Sequence, residues 1–305
     1  MIIHSKIIIG VPAFNEERFI RKTLESLVSQ TFKDYIVFIS DNASTDRTSD
    51  ICNEFAMLDS RFIYHRHPQN LGAAKNFYFL LESTFSPYFM WLGAHDILDT
   101  NYLDVQVSVL DSNKGVGLAY SNVTWIDEND AYLKESGGGE FVFTGKPLDR
   151  YLQSVRGPWG ECTAVNGVFR RSVLSGKSNY DFASLDHLIL TRAQFFGCFH
   201  RTTKPIYIRR DFTEKEHDYM QRLTGTASKN IIKAKKRNMW PLCFAQIKDF
   251  FSLPVSPIYL VIIFPLLLLN LHLAYGLFHP VIKYFNPYGY IRWFRRLLNN
   301  PTSQV

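Results

Sequence analysis

"KIIIGVPAFNEERFIRKTLESLVSQTFKDYIVFISDNASTDRT", residues 6–48, places two short apolar runs either side of a segment with helical spacing. The run "KIIIGV" (6–11) reads as a buried strand, because a short, continuous apolar stretch suits a strand covered on both faces. From Arg18 to Gln30 the apolar residues Phe19, Ile20, Leu24, Leu27 and Val28 line one helical face. "YIVFIS" (35–40) is a second buried strand. The Asp, Asn, Ser and Thr of "DNASTDRT" (41–48) can then cap a helix carrying Ile51, Cys52, Phe55 and Ala56, with Ser44 and Asp46 as the capping candidates.

The alternation continues outward through strand 61–65, helix 73–83 and strand 88–92. This order predicts an α/β fold with a doubly wound, mostly parallel, Rossmann-like sheet. Ligands of such sheets bind beyond the carboxyl ends of the strands, where Asn15, Asp41 and the pair His95/Asp96 all fall. After Asp99 the pattern loosens into a helix around 101–112, a strand region over 115–127 and a turn at "DEND". The loop "ESGGGE" (135–140) lacks the spacing of a phosphate loop.

Composition narrows the class. The chain has 305 residues, 46% of them hydrophobic, enough for a large core plus an appendage. Cys52, Cys162, Cys198 and Cys243 are widely spaced with no CxxC pair, which argues against a zinc site and a disulfide framework and points to a reducing compartment. "MIIHSKIIIG" has neither the length nor the cleavage pattern of a signal peptide. The net charge of +6 comes from basic residues concentrated late in the chain, as in "KNIIKAKKR" (229–237). They precede residues 250–282, a stretch of 33 without Asp, Glu, Lys or Arg, so anionic lipid rather than nucleic acid is the expected partner. Pro254, Pro257, Pro265 and Pro280 interrupt the stretch, and basic residues flank both ends. Under the positive-inside tendency this suits a re-entrant hairpin or interfacial helices at the cytoplasmic face.

Four positions carry candidate chemistry. Asp41 at a strand end is either a helix-capping residue or a carboxylate that reads a base or ribose. Lys75, opening a helix after Gly72, is either solvated or within reach of a diphosphate. In "WLGAHDILD" (91–99), Asp96 suits Mg²⁺ or Mn²⁺ and His95 suits Mn²⁺ better. Asp186, in the first turn of a helix beginning near Ser184, is either a dipole partner or a general base.

Taken in order, "IIIGVPAFNEERFIRKTLESLVSQTF", "VFISDNASTDRT", "NLGAAKN" and "FMWLGAHD" closely resemble the inverting GT-A glycosyltransferases of family 2, which make bacterial surface polysaccharides. The likeness covers about residues 5–215. It implies that Pro12, Ala13, Phe14 and Glu16 line the nucleotide pocket, that Asp41 reads the base, and that Lys75 lies near base and diphosphate. It also implies that the turn through Ala94, His95 and Asp96 holds a divalent cation, Mn²⁺ or Mg²⁺, and the diphosphate. Here the family's aspartate-rich turn reads "GAHD", with Gly93 at the first aspartate and His95 where the metal-binding carboxylate usually falls. "SLDHLILTRAQFFG" resembles the helix of the catalytic base, giving Asp186 that role. Trp159 is a candidate to stack on a sugar, and Arg209, Arg210 and Glu214 are candidates to pair with phosphate or with one another.

The expected organisation is a GT-A catalytic domain over 1–225 and basic, hydrophobic, membrane-associating helices over 226–305. The implied partners are a nucleotide-sugar donor, UDP-linked first, and a glycan or polyprenyl-linked acceptor, with no nucleic acid and with a homo-oligomer compatible. A non-catalytic sugar-binding protein on the same fold is the alternative, and a nucleotidyltransferase a more distant one.

Overall fold

The computed structural model describes residues 5–137, 141–155, 162–174, 185–212 and 240–256, together with 264–271 apart from Leu266 and Leu269. Four parallel strands form its first half: β1 (Ile7–Ala13), β2 (Tyr35–Asp41), β3 (Phe62–Arg66) and β4 (Tyr88–Trp91). The connecting helices are α1 (Ile20–Val28), α2 (Thr48–Leu58) and α3 (Ala73–Glu82). Each expected element is present within two residues of its expected ends.

The second half departs from the expected parallel sheet. It contains β5 (Ile97–Leu98), α4 (Tyr102–Ser112), β6 (Val116–Ile126), β7 (Tyr132–Ser136), α5 (Pro147–Val155), β8 (Val168–Arg170), α6 (Leu185–Phe196) and β9 (Cys198–Arg210). The order is β3-β2-β1-β4-β8-β6-β9-β5, with β7 paired to β6. β8 runs antiparallel to both β4 and β6, β9 is parallel to β6, and β5 and β7 are antiparallel to their neighbours. The sheet is therefore mixed. Short elements joined by turns, such as the one at 127–130 between β6 and β7, allow an antiparallel return where no crossover helix is available.

Helices cover both faces. Ile7, Ile9 and Val11 face one way and pack with Leu24 and Leu27 of α1, Ile51 and Phe55 of α2, and Leu103 and Val107 of α4. Ile8 faces the other way, with Leu80 of α3, Phe89, Trp91, and Ile189 and Leu190 of α6. Each such aliphatic side chain, once buried, contributes about 1.5–3 kcal/mol. Beyond residue 225, helix α7 (Trp240–Phe251) sets Cys243 and Phe250 into an apolar core with Tyr151, Leu152 and Val155 of α5, which Leu267 and Leu271 also enter. Among the described residues no helix is long and apolar enough to cross a membrane. Most of the 250–282 stretch, together with Trp159, Glu214 and the basic run at 229–237, lies outside the described residues.

Candidate active site

The carboxyl ends of β1, β2 and β4 meet at one edge of the sheet, and their loops are tied to one another by side chains. After β1, Asn15 takes a left-handed backbone (φ 54). Its N–H donates to Ser44 Oγ at 3.0 Å, and its Oδ1 accepts the Thr45 N–H at 2.8 Å. The Glu16 N–H donates to Thr48 Oγ1 at 2.7 Å. Ser44 therefore braces β1 rather than capping α2, since its hydroxyl is taken by Asn15. Asp46 does meet the start of α2, accepting the Thr48 N–H at 3.0 Å.

Asp41 ends β2 with 0% exposure. Its Oδ1 accepts the Ser44 N–H at 2.8 Å, its Oδ2 accepts the Tyr64 hydroxyl at 2.7 Å, and Arg66 Nε lies 3.6 Å from Oδ2. Burial first, and then the Asp41 contact, push the Tyr64 hydroxyl well above its ordinary range. Between Asp41 and Ser44 the chain passes through Ala43 at φ 63, a conformation an alanine adopts only at a cost. Asn42 reaches on to the next loop, donating to Asn70 Oδ1 and accepting the Leu71 N–H, both at 2.8 Å. Asn70 in turn receives the N–H of Gly72, whose φ of 86 turns the chain into α3. Lys75, in the first turn of α3, is exposed at this edge.

The turn after β4 separates two roles the sequence left joined. Asp96 is 2% exposed; its Oδ2 accepts the Tyr207 hydroxyl at 2.5 Å and its Oδ1 the Arg210 N–H at 2.9 Å. A Cβ on Gly93 would lie 2.6 Å from Asp96 Oδ2, so the glycine makes room for the carboxylate to fold inward. Asp96 thus anchors the turn to β9. Its neighbour His95 has a quarter-exposed side chain with Nδ1 3.0 Å from Glu16 Oε1, which joins the ends of β1 and β4. The Phe212 ring meets His95 edge-on at 5.0 Å. Ala94, between Gly93 and His95 in the turn, is buried.

Arg210 is likewise structural. It donates to the carbonyls of His95 (3.2 Å) and Asp127 (2.7 Å) and to Asp130 Oδ1 (2.6 Å), so its charge is spent within the protein. Arg209, the next residue, stacks over Trp125 at 5.0 Å instead. Its positive charge bears on both Tyr207 and Asp186. Asp186 stands in the first turn of α6 with Oδ1 accepting the His187 N–H at 2.9 Å. Burial raises its carboxyl above the ordinary range, while the His187 N–H, Arg209 and a hydrogen bond with Cys162 hold the rise in check. A carboxylate so placed is ionisable yet basic, as a proton acceptor needs.

The residues fit a cation held partly by substrate. Among the described residues no three His, Cys, Asp or Glu side chains converge as an all-protein cage would require. His95 and Glu16 offer one imidazole and one carboxylate, with the Asp96 carboxylate behind them, and Mg²⁺-type sites commonly take one or two protein ligands and complete the shell with phosphate oxygens.

Of the expected residues, Pro12 to Glu16, Asp41, Ala94, His95 and Asp96 come together at the edge. Lys75 joins it through the Asn42–Asn70 bridge; Asp186 stands on α6, where the charge of Arg209 bears on it. Sequence reasoning missed Tyr64, Asn70, Tyr207 and Cys162. Of these, Asn70 lies inside "NLGAAKN" and Cys162 inside "GPWGECTAVNGVFRRSVL" (157–174), whereas Tyr64 and Tyr207 belong to no motif.

Three comparisons bear on this arrangement. An uncharacterised glycosyltransferase of Methanocaldococcus jannaschii is 28% identical over 141 residues, 46% of this chain and 48% of that protein, so the chain spans about half of that relative's length. Staphylococcus aureus TarS (residues 1–349) in complex with UDP-GlcNAc superposes with a TM-score of 0.61 at 15% identity, over 88% of this chain and 73% of that one. The mannosyltransferase PcManGT of Pyrobaculum calidifontis, in complex with GDP-Man and Mn²⁺, gives 0.52 at 16% identity, over 88% and 81%. Both share the fold. Residues 8–176, more than half of the chain, match the family described as "Glycosyl transferase family 2", and with the fold and the strand-end site this makes the chain a glycosyltransferase of that family.

Proposed function

We propose that this enzyme transfers a sugar, with inversion, from a nucleotide-diphosphate sugar to a hydroxyl of a glycan or polyprenyl-linked acceptor during polysaccharide synthesis. The observation that carries the reading is Asp186, a carboxylate in the first turn of α6 that burial makes more basic and that the His187 N–H and the Arg209 charge keep ionisable, in a chain of this family. A UDP-sugar is the first donor to test, because TarS shares the fold and is described with UDP-GlcNAc.

In the proposed reaction Asp186 accepts the proton of the acceptor hydroxyl. The hydroxyl oxygen then bonds to the anomeric carbon as the bond to the diphosphate breaks on the opposite face, so one displacement inverts the configuration. The loops at 12–16 and 41–44 hold the nucleotide; Asp41 acts through the Ser44 turn and Arg66, which it fixes. Lys75 is an exposed cation available to the diphosphate. His95 and Glu16 would hold Mn²⁺ or Mg²⁺, with Asp96 as the anchor that sets His95. That ion, when bound, supplies positive charge to the leaving diphosphate.

The C-terminal segment is proposed to bind the cytoplasmic face of the membrane. Phe244 and Phe251, seven residues apart on α7, are 62% and 45% exposed, and the flanking sequence is basic. Because α7 shares a core with α5, the test is co-sedimentation of the full chain with vesicles, with and without anionic lipid, rather than truncation. For catalysis, the test is nucleotide release from a panel of nucleotide sugars with Mn²⁺, followed by transfer to an acceptor that accelerates it. Undiminished transfer by Asp186→Asn would remove the assigned base.

A further inference from the structure

Helix α6 carries Asp186 in its first turn, and α7 docks along it through a few buried polar contacts. The Arg192 guanidinium donates to Asp249 Oδ1 at 2.5 Å and to Ser252 Oγ at 2.9 Å. Asp249 Oδ2 accepts the Tyr151 hydroxyl of α5 at 3.1 Å, and the same hydroxyl lies 3.2 Å from the Gln246 carbonyl. Closer to the base, Gln246 Nε2 lies 3.4 Å from His187 Nδ1, and His187 directly follows Asp186. Thr191 Oγ1 meets the same ring nitrogen at 3.4 Å. Gln246 is 0% and Asp249 5% exposed, so these groups sit inside the interface rather than around it.

Apolar packing between helices is non-directional and tolerates small rotations and slides. Buried polar partners are directional and costly to leave unmet, so they select one register. The pairs that select it here act on Arg192 and on His187, at two levels of α6, and therefore fix both its tilt and the rotation of its first turn.

We infer that α7 is a strut for the catalytic base: Asp249 and Gln246 are positioning residues that, through Arg192 and His187, hold Asp186 in place. The inference rests on Asp186 being the base. It ties the C-terminal segment to the chemistry rather than to attachment alone.

Cys162 reports the position of Asp186 without any substrate. Burial first, and then the Asp186 carboxylate, suppress ionisation of the thiol, and thiolate is the form that alkylates. The experiment is peptide-resolved alkylation of Cys162 by iodoacetamide in the full chain between about pH 7 and 10, near the ordinary thiol range. Asp186→Asn sets the scale of the response. Asp249→Asn, and the milder Gln246→Ala should the first fail to fold, are expected to speed alkylation about threefold, the equivalent of half a pKa unit. Adding either to Asp186→Asn should give no further increase, because both act through the same carboxylate.

Wild-type rates in both variants would overturn the inference. So would rates that simply add to that of Asp186→Asn, which is the mark of general loosening, or an Asp186→Asn protein that alkylates like wild type. The base assignment fails separately, by undiminished transfer in Asp186→Asn.

Discussion

Replacing Asp96 with alanine distinguishes an anchoring carboxylate from a metal-ligating one. The side chain is buried and accepts from the Tyr207 hydroxyl and the Arg210 N–H. Tyr207 is 2% exposed and the Arg210 backbone lies in β9, so neither donor gains ready access to water when the carboxylate is removed. Each donor left unsatisfied costs about 1–3 kcal/mol, giving about 2–6 kcal/mol together. Against a total stability of about 5–15 kcal/mol this is a large fraction. Asp96→Asn should cost about half as much, because the amide keeps one acceptor and the Tyr207 hydroxyl can turn to accept from its N–H. Urea unfolding followed by tryptophan fluorescence measures the difference; with an m value of about 3 kcal/mol/M the midpoint for Asp96→Ala falls by about 0.7–2 M. A ligand carboxylate held for a cation would behave in the opposite way, its removal leaving stability level or raised. Unfolding of Asp96→Ala within about 0.5 kcal/mol of wild type would refute the anchoring role and return the cation to Asp96.

Further expectations follow from neighbouring groups. His95→Ala, at a quarter-exposed position, should cost no more than about 1 kcal/mol of stability yet weaken Mn²⁺-dependent nucleotide release, seen as a raised Mn²⁺ requirement in the panel assay. Ala43→Gly removes a left-handed penalty of about 1–2 kcal/mol and adds about 0.4–1 kcal/mol of unfolded-chain entropy, so a net rise in Tm of about 1–2 °C is expected by calorimetry. Because burial raises the Asp186 carboxyl, transfer should increase with pH through a midpoint above the ordinary aspartate value of 3.8, and Asp186→Asn should lack that acid limb along with most of the rate. Burial pushes His187 down to about 4 from 6.5, so the unfolded chain takes up its proton first. Stability should accordingly fall as pH drops from 6.5 towards 4, by up to about 3 kcal/mol, and His187→Gln should flatten that loss in acid-unfolding curves.

Much of the site was legible because its parts are local. Asn15, Asp41 and His95 each follow a strand whose apolar run is visible in the sequence, and such strand ends collect polar ligands in any parallel sheet. The metal turn was legible only as a choice between His95 and Asp96. The choice depends on Tyr207 and Arg210, which lie more than 100 residues later; Tyr207 carries no motif, and Arg210 is marked in the sequence only as a partner for phosphate or for its neighbours. Glu16 was assigned to the nucleotide pocket, and its contact with His95 spans 79 positions that no periodicity records.

By itself, the sequence determined the alternation of strand and helix through β4, the covering of the sheet on both faces and the motif order of the family. These follow from side-chain periodicity and from turn chemistry within a few residues. Only the tertiary structure decided the mixed second half of the sheet, the inward fold of Asp96 and the docking of α7 against the helix of Asp186. Each of these is a pairing of distant segments, selected by directional hydrogen bonds in a buried setting, and an unfolded chain carries no local trace of such partners.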